Sequence, residues 1–287
     1  MTDVLLATFA LMPDGEPGGD LLVDALAERG LDAAWARWDD PDVDWADARL
    51  VAVRSTWDYH RRAPEFLAWA RRTSVATPLL NGPEAFAWNA DKAYLTALAG
   101  LVPTVPTALL DDATLVAGLT AALERWGSAV IKPRTGAGGV GVVVAESLAD
   151  ERLEGLTAAP WIIQPLVESV RTTGEVSVFV FGGGAVSQVD KSVGRVEGGE
   201  IRVHELYGGR SRAVPLGEEQ AVLAEDAVRA AAGLTGADLT YARVDLMQWE
   251  GRWALSELEL IEPGLYLDVA PDNAARFADL VARHVPS

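Results

Sequence analysis

Short apolar runs alternate with amphipathic stretches along the first third of the chain. Val4–Phe9 and Leu50–Arg54 are apolar runs of strand length, and Gly18–Arg29 between them places its leucines on one face of a helix. A second helix is predicted over Pro64–Arg72. Strands that alternate with helices indicate a parallel α/β sheet, and ligands bind such sheets at the carboxyl ends of the strands. Arg54–Tyr59 follows one of those ends.

The remaining two thirds of the chain change pattern twice. Asn81–Ala99 predicts one helix, and the strand Ala129–Pro133 then leads through a glycine-rich turn into a returning strand over Val140–Ala145. Strict alternation over Glu175–Gly182 predicts antiparallel pairing. The expected fold class is α/β and α+β, in three subdomains: a parallel α/β unit at residues 1–100, a small central lid at 101–167, and an antiparallel sheet with helices at 168–287.

Charge and composition argue against several classes of function. Forty-two acidic and 24 basic residues among 287 give a net charge of −18, which disfavours nucleic acid, because a phosphate backbone needs a positive surface. No apolar run reaches the roughly 18 residues of a membrane span, so no membrane partner is expected. The chain has no cysteine, which excludes disulfides and a thiolate nucleophile, and a cytoplasmic location is expected.

Lysine is scarce enough in this chain to be informative. Only three of the 24 basic residues are lysines, namely Lys92, Lys132 and Lys191. A lysine ammonium is a compact point charge that suits phosphate, and arginine cannot always replace it. Lys92 and Lys132 are therefore candidate contacts of a phosphate group, whereas phosphate contact and a surface position are equal alternatives for Lys191.

A glycine-rich loop follows Lys132 directly. Gly136, Gly138, Gly139 and Gly141 let the backbone approach an anion closely. The loop is not a Walker A loop, because its lysine precedes the glycines, and it is not a dinucleotide fingerprint, because a strand follows it. A hairpin flap over phosphates fits the pattern, and a plain flexible hairpin is the alternative.

Three carboxylates fall on a second predicted hairpin. Asp245 lies on one strand with Arg243, and Glu257 and Glu259 lie on the partner strand, where period-two alternation gives them a common face. Carboxylates on adjacent strands repel unless a cation lies between them. Oxygen ligands favour Mg²⁺, usually completed by substrate phosphates. A solvated face is the alternative, although Leu258 is among several neighbours that are apolar for a free edge.

Together these motifs resemble the ATP-grasp superfamily over the whole chain, among the carboxylate–amine ligases near glutathione synthetase and the ribosomal-protein glutamate ligase. Three segments look most like the O-ureido-serine cyclo-ligases of the cycloserine pathway. They are Trp57-Asp58-Tyr59, the stretch from Asn81 to Asp91-Lys92, and Glu257-Leu-Glu259-Leu-Ile-Glu262-Pro-Gly264.

The resemblance implies a nucleotide site for ATP. Lys92 and Lys132 would reach the phosphates, under a flap made by Gly136, Gly138 and Gly139. A hinge segment would present its backbone to the adenine edge, and Glu168 or Glu175 would hold the ribose, with Glu175 the better match by position. The hinge residues are Gln164, Pro165, Leu166 and Val167.

The resemblance also implies a reaction centre. Arg202 and His204 lie in a loop similar to the family's loop at the reacting phosphate, where His204 replaces an asparagine. Arg243 and Asp245 match an Arg-Val-Asp strand, and Glu257 matches the main metal-bridging glutamate. Glu259 stands where the family has asparagine, and the Pro-Gly pair comes one residue late, so the number of metals and the third ligand stay open.

These features imply an ATP-dependent ligase. It would activate a small amino-acid-like carboxylate as an acylphosphate, couple it to a nitrogen nucleophile, and release ADP and phosphate. The nitrogen could belong to the same molecule, which would give a cyclised product. The alternatives are a kinase of the same fold and a nucleotide-binding sensor without catalysis. A second copy of the chain is a further candidate partner, as a homodimer.

Overall fold

The computed structural model describes residues 2–156, 159–194, 202–203 and 208–286. Its first sheet is parallel, as predicted, with strands in the order β2-β1-β3. β1 and β3 are buried along their whole length because helices cover the sheet. The elements of this part are β1 (Val4–Thr8), α1 (Gly19–Ala27), β2 (Ala33–Arg37), β3 (Leu50–Val53) and α2 (Ala63–Ala76).

The single helix predicted over Asn81–Ala99 is wrong, because two helices form there. They are α3 (Gly82–Asn89) and α4 (Tyr94–Leu98). The Asp91 side chain accepts a hydrogen bond from the Ala93 backbone N–H at 2.9 Å, which satisfies a donor at the start of the second helix. The backbone N–H of Lys92 donates instead to Arg134 at 2.8 Å. The break therefore places Lys92 between the helices and next to the glycine loop.

The second sheet is antiparallel, with strands in the order β4-β7-β5-β6. Leu119 and Ala122 of its helix are buried against the sheet. The returning strand begins at Val143 rather than at the predicted Val140, which leaves a longer glycine loop. The elements are β4 (Ala108–Leu110), α5 (Leu115–Trp126), β5 (Ala129–Pro133), β6 (Val143–Ala145) and β7 (Trp161–Pro165).

The third sheet is also antiparallel, with strands in the order β10-β9-β8-β11-β12. The predicted acidic hairpin is its β11–β12 pair. The elements are β8 (Glu175–Phe181), β9 (Gly184–Ser192), β10 (Arg210–Val214), α6 (Glu218–Thr235), β11 (Tyr241–Trp249), β12 (Arg252–Glu259) and α7 (Asp272–His284).

The two faces of β8 differ because side chains alternate along a strand. Val176, Val178 and Val180 pack with α6 in one core cluster. On the other face, Phe179 and Phe181 pack against α7 and the first sheet. That second face is polar at the start of the strand, at Glu175 and Ser177, and both polar residues are buried. A polar end on an otherwise apolar face marks the position of the site.

The edge strand β12 is covered rather than solvated. The Asn89 side chain donates to the Leu258 carbonyl and accepts from the Leu260 N–H, both at 2.8 Å, as a neighbouring strand would. The Tyr94 hydroxyl accepts from the Leu258 N–H at 2.9 Å. Val105 donates to the carbonyl of Leu255, farther along the strand. The acidic face is not freely solvated either, because the side chain of Asp245 is buried and those of Glu257 and Glu259 are only partly exposed.

None of the helices in the described part of the chain is long and apolar enough to span a membrane. The proposed boundaries at residues 100 and 167 stay predictions. Helix α4 precedes the first of them, and its residues Tyr94, Leu95 and Leu98 pack in the core beneath the third sheet.

Candidate active site

A cavity opens where the glycine loop, the end of β7 and the polar ends of β8, β11 and β12 meet. Nearly all of the site residues predicted from the sequence line it. They are Lys92, Lys132, Gly136, Gly138, Gly139, Gln164, Pro165, Leu166, Val167, Glu175, Lys191, Arg202, Arg243, Asp245, Glu257 and Glu259.

One predicted residue, Glu168, is described by the structure but does not line the cavity. Glu168 lies outside it, with 72% of its side chain exposed and an ion pair to Arg171 at 3.6 Å. Of the two ribose candidates, the structure thus brings only Glu175 to the cavity. His204 lies outside the described residues.

The three predicted metal ligands converge at one end of the hairpin. Asp245 pairs with Glu257, and Arg243 with Glu259, across β11 and β12. One carboxylate oxygen from each of Asp245, Glu257 and Glu259 lies within 4.8 Å of the others. The Ser177 hydroxyl donates to Asp245 at 2.6 Å and fixes its orientation. An all-oxygen set at this spacing fits a hard divalent cation such as Mg²⁺.

Basic side chains separate these carboxylates. Arg243 donates to Asp245 through Nε at 3.0 Å and also bonds to Glu259. Lys191 lies 3.2 Å from Asp245 and also pairs with Glu175. Lys92 pairs with Glu257 at 2.9 Å. The cluster is therefore an alternating network of charges rather than three carboxylates that only repel.

The network changes the proton affinity of its members. Burial opposes the charge of Asp245, yet Arg243 and Lys191 hold the pKa of that carboxyl well below its usual range. Burial likewise opposes the charge of Lys191, but Asp245 and Glu175 raise its pKa. Glu259 behaves oppositely, because burial outweighs Arg243 and raises the pKa of Glu259 to about 7.

Lys92 and Lys132 differ in their surroundings. Lys92 Nζ donates to the Gly136 carbonyl at 2.7 Å as well as pairing with Glu257. No ion pair of Lys132 occurs among the described residues, and burial lowers its pKa. A lysine that lines a cavity without a direct ion pair to a described residue is suited to an anionic ligand.

The glycine loop is anchored at its base, and three of its glycines have a positive φ. Arg134 donates to Asp91 through Nε at 2.8 Å, which ties the loop to the α3–α4 junction. Gly138, Gly139 and Gly141 have φ of 62°, 70° and 74°, a left-handed conformation that glycine adopts without steric cost. Turns built from such residues can direct successive backbone N–H groups into an anion-binding concavity.

The hinge segment follows β7 along another wall of the cavity. Gln164 is buried and donates to the Thr107 hydroxyl at 2.9 Å, which fixes the end of the strand. Val167 packs with Val105 and Ala254 in a small apolar cluster. The cavity therefore has an apolar wall beside the hinge and a charged wall at the acidic hairpin.

The segment after β12 also contributes to the cavity, and it includes Glu262, which the sequence did not single out as a site residue. Glu262 and Tyr266 line the cavity together with Tyr59, which follows the first sheet. The available sequence signal for Glu262 is an acidic residue directly before Pro263-Gly264, within the motif that resembles the family. Its burial and orientation depend on contacts that are distant in sequence.

A buried ion pair locks this segment to the first sheet. Arg54 is fully buried after β3 and pairs with Glu16 at 3.1 Å. Arg54 also donates to the Pro263 carbonyl, and Glu16 accepts from the Leu265 N–H at 2.6 Å. Burial is the main reason that the pKa of Glu16 is raised, and Arg54 opposes that rise.

Trp57 and Asp58 serve as packing and anchoring residues. Trp57 Nε1 donates to the Glu262 carbonyl at 3.0 Å, and its ring packs near Phe9. Asp58 accepts from Trp38 Nε1 at 2.9 Å. Of the stretch Arg54–Tyr59 at this strand end, Tyr59 is the residue that lines the cavity.

Comparison with solved structures identifies the fold. The chain superposes on the ATP-grasp ligase PsnB with a TM-score of 0.65, over 98% of this chain and 99% of that one, at 18% identity. It superposes on the crystal structure of D-cycloserine synthetase DcsG with a TM-score of 0.87 and 29% identity, over 99% of both chains. The fold is ATP-grasp, as predicted.

Sequence comparison identifies the family of ligases within this fold. The chain is 31% identical over 278 residues to the cycloserine biosynthesis protein DcsG of Streptomyces lavendulae, which covers 92% of each chain. The model of the N-terminal domain of D-cycloserine synthetase DcsG matches residues 4–81. The chain therefore belongs to the DcsG family of ATP-grasp ligases. It is an ATP-dependent carboxylate–amine ligase that forms a C–N bond, as the sequence predicted.

Proposed function

We propose that this ligase closes a ring, by joining the carboxylate of a small amino-acid-like substrate to a nitrogen of the same molecule. The observation that carries this proposal is the similarity to D-cycloserine synthetase DcsG over nearly the whole of both chains. The similarity includes the N-terminal part, residues 4–81, which borders the cavity through Tyr59.

Charge is the main contribution of the protein to the first step. A carboxylate is a poor electrophile, and transfer of the γ-phosphoryl group of ATP to it gives an acylphosphate, with ADP as the leaving group. Such a transfer depends on positioning and charge neutralisation. Lys92, Lys132 and the glycine loop would hold the phosphates, while Gln164–Val167 and Glu175 would hold the adenosine.

The acidic hairpin fits a magnesium ion. Asp245, Glu257 and Glu259 offer oxygen ligands close together, and Ser177 orients one of them. When bound there, Mg²⁺ would neutralise phosphate charge. Arg243 would hold Asp245 and Glu259 in place, because its guanidinium bonds to both.

Arg202 would stabilise the phosphoryl group during transfer and departure. It lines the cavity, and its guanidinium presents a rigid fork of donors that matches phosphoryl oxygens. The nitrogen then attacks the acyl carbon, the C–N bond forms, and phosphate leaves with the acyl C–O electron pair. His204 stays a candidate proton carrier on the sequence argument alone.

Phosphate release with a defined compound tests the proposal. O-Ureido-D-serine, the substrate of the cyclo-ligases that the chain resembles, is incubated with ATP and Mg²⁺, and ADP, phosphate and organic products are measured. We expect ADP and phosphate in equal amounts together with a cyclic product that mass spectrometry identifies. A phosphorylated product that accumulates without free phosphate would favour a kinase. Coupling only to an added amine would contradict ring closure.

A further inference from the structure

One buried carboxylate on the cavity wall forms no ion pair within the described part of the chain, although the charges of Lys92 and Arg243 act on it without direct contact. Glu262 is only 7% exposed and lines the cavity three residues beyond Glu259. Apart from its own backbone N–H, no donor or basic group of the described residues contacts its carboxylate. The other described acids of the cavity each have a basic partner: Lys191 for Glu175 and Asp245, Lys92 for Glu257, and Arg243 for Glu259.

A buried carboxyl group without an ion pair is costly to ionise, and a cationic group of a ligand placed against it would lower that cost. ATP is an anion and would be repelled by Glu262. The oxygen cluster that fits Mg²⁺ is the separate set of Asp245, Glu257 and Glu259. The remaining candidate is a cationic group on the second substrate.

The position of Glu262 is fixed by residues of the first sheet. Trp57 donates to the Glu262 carbonyl at 3.0 Å, and Arg54 donates to the next carbonyl, that of Pro263. The backbone therefore cannot easily turn the carboxylate away from the cavity. These contacts place Glu262 on the side where the strands of the parallel sheet end, which is where such sheets bind ligands.

A neutral hydrogen-bonding group lies near this carboxylate. Tyr59 is 4% exposed and lines the same cavity, and its hydroxyl has no hydrogen bond to the described residues. Burial first, and Glu262 next, raise the pKa of Tyr59 well above its usual range. Tyr59 therefore keeps its proton and offers a donor in the cavity that Glu262 also lines.

We propose that Glu262 binds the α-ammonium group of the amino-acid substrate, with the Tyr59 hydroxyl as a second contact to that substrate. This inference rests on the proposed function, in that it requires an amino acid as the substrate. Burial and Glu259 raise the pKa of Glu262 in the empty cavity. An ammonium ion at this position would reverse that shift by stabilising the carboxylate.

The test compares two substrates that differ only in the amino group. They are O-ureido-D-serine and its des-amino counterpart, 3-(ureidooxy)propanoate. We expect the wild-type enzyme to have a KM about 10- to 150-fold lower for the amino compound, the range for a hydrogen bond to a charged group. Glu262→Gln should remove that advantage and leave the KM for ATP and for the des-amino compound unchanged.

The conservative variant is the matched control. Glu262→Asp keeps the charge and should restore part of the preference for the amino compound, whereas loss of structure alone would affect both compounds equally. An unchanged KM ratio in Glu262→Gln would overturn the inference. So would an equal fall in kcat on both compounds, which would indicate a role in metal binding or proton transfer.

Failure of the proposed function gives a different result. If the wild-type enzyme turns over other α-amino acids but not O-ureido-D-serine, ring closure of that compound is wrong. The KM ratio is then measured on the accepted amino acid and its des-amino counterpart. The contribution of Glu262 to ammonium binding is thereby decided separately from the identity of the product.

Discussion

Lys132 and Lys191 face the same cavity in opposite electrostatic surroundings. Lys191 is 4% exposed and lies between Glu175 and Asp245, which together raise its pKa against the effect of burial. Lys132 has no ion pair among the described residues, and burial lowers its pKa. The folded protein therefore favours the charged form of Lys191 and disfavours the charged form of Lys132.

Replacement of each lysine by methionine should separate stability from nucleotide binding. When the pH lies below both the folded-state and the unfolded-state pKa of a base, a lowered folded-state pKa means that its charge destabilises the folded protein. Lys132→Met should therefore raise the free energy of unfolding of the ligand-free protein. The same change should weaken ATP binding about 10- to 150-fold. Lys191→Met should lower the free energy of unfolding by roughly 3–5 kcal/mol, because it breaks a buried pair.

Urea unfolding and calorimetry with an ATP analogue measure both effects. Arg171→Met is a suitable control, since its partner Glu168 is mostly exposed and lies outside the cavity. Equal stability losses in the two lysine variants would contradict the assignment of Lys132 to the ligand.

Glu259 gives a pH dependence with a defined sign. Its pKa is raised to about 7 in the folded protein, mainly by burial, against about 4.3 in an unfolded chain. The folded state thus binds more protons between these values, and the contribution of Glu259 to stability should improve as pH falls from 7 toward 4.3. Above about pH 7, Glu259 is ionised in both the folded and the unfolded state, and its burial destabilises the folded protein by the full amount.

Comparison with Glu259→Gln isolates this contribution. Without metal, the free energy of unfolding of the wild type relative to that of the variant should rise as the pH falls from about 7 to about 4.3. Outside that window the difference should not change with pH. A difference that is independent of pH would contradict the raised pKa.

At the scale of elements, the glycine loop depends on its left-handed backbone. A Cβ at Gly138 would meet no atom within 4 Å, but φ there is +62°. Asparagine tolerates this conformation, whereas a β-branched residue strongly resists it. Gly138→Val should therefore raise the KM for ATP by about tenfold or more, and Gly138→Asn should raise it much less. Similar KM values for the two variants would show that the loop conformation does not matter.

The covered edge of β12 offers a second element-scale test. Asn89 bonds two backbone groups of that strand with its single side chain, at Leu258 and Leu260. Asn89→Leu should leave a buried carbonyl and a buried N–H unsatisfied, at a cost of about 1–3 kcal/mol each. Urea denaturation measures the loss, and a change below about 0.5 kcal/mol would contradict the role of Asn89 as a substitute strand.

Local patterns predicted these elements unevenly. Alternation predicted β8, β11 and β12, because side chains of a strand alternate whatever lies beside it. The break between α3 and α4 was not predictable, because it depends on an Asp91 side-chain bond and on a backbone bond from Lys92 to Arg134, which is distant in sequence. The start of β6 at Val143 likewise depends on its pairing with β5.

At the scale of the whole molecule, motif matching identified most of the cavity wall but misjudged its electrostatics. The sequence argument treated Asp245, Glu257 and Glu259 as groups that repel unless a cation arrives. The structure instead places Arg243 and Lys92 between them. A pair such as Lys92 with Glu257, which joins elements far apart in sequence, cannot be read from a single strand pattern. Glu262 was missed because its position depends on contacts with Trp57 and Arg54, which are also distant in sequence.

The first sheet contributes to the cavity through long-range contacts. Arg54 and Glu16 are buried, and both bond to the backbone just beyond Glu262. Residues of the first sheet thus hold in place a segment that lines the cavity. A cavity fixed in this way is suited to a reaction that must exclude water from an acylphosphate.

The most direct test of the central claim follows one oxygen atom. The substrate carboxylate is labelled with ¹⁸O, and the phosphate released in the presence of ATP and Mg²⁺ is analysed by mass spectrometry. If the enzyme activates the carboxylate as an acylphosphate and then forms a C–N bond, each phosphate should carry one ¹⁸O from the carboxylate. Phosphate without ¹⁸O, released at the same rate as product, would contradict the account.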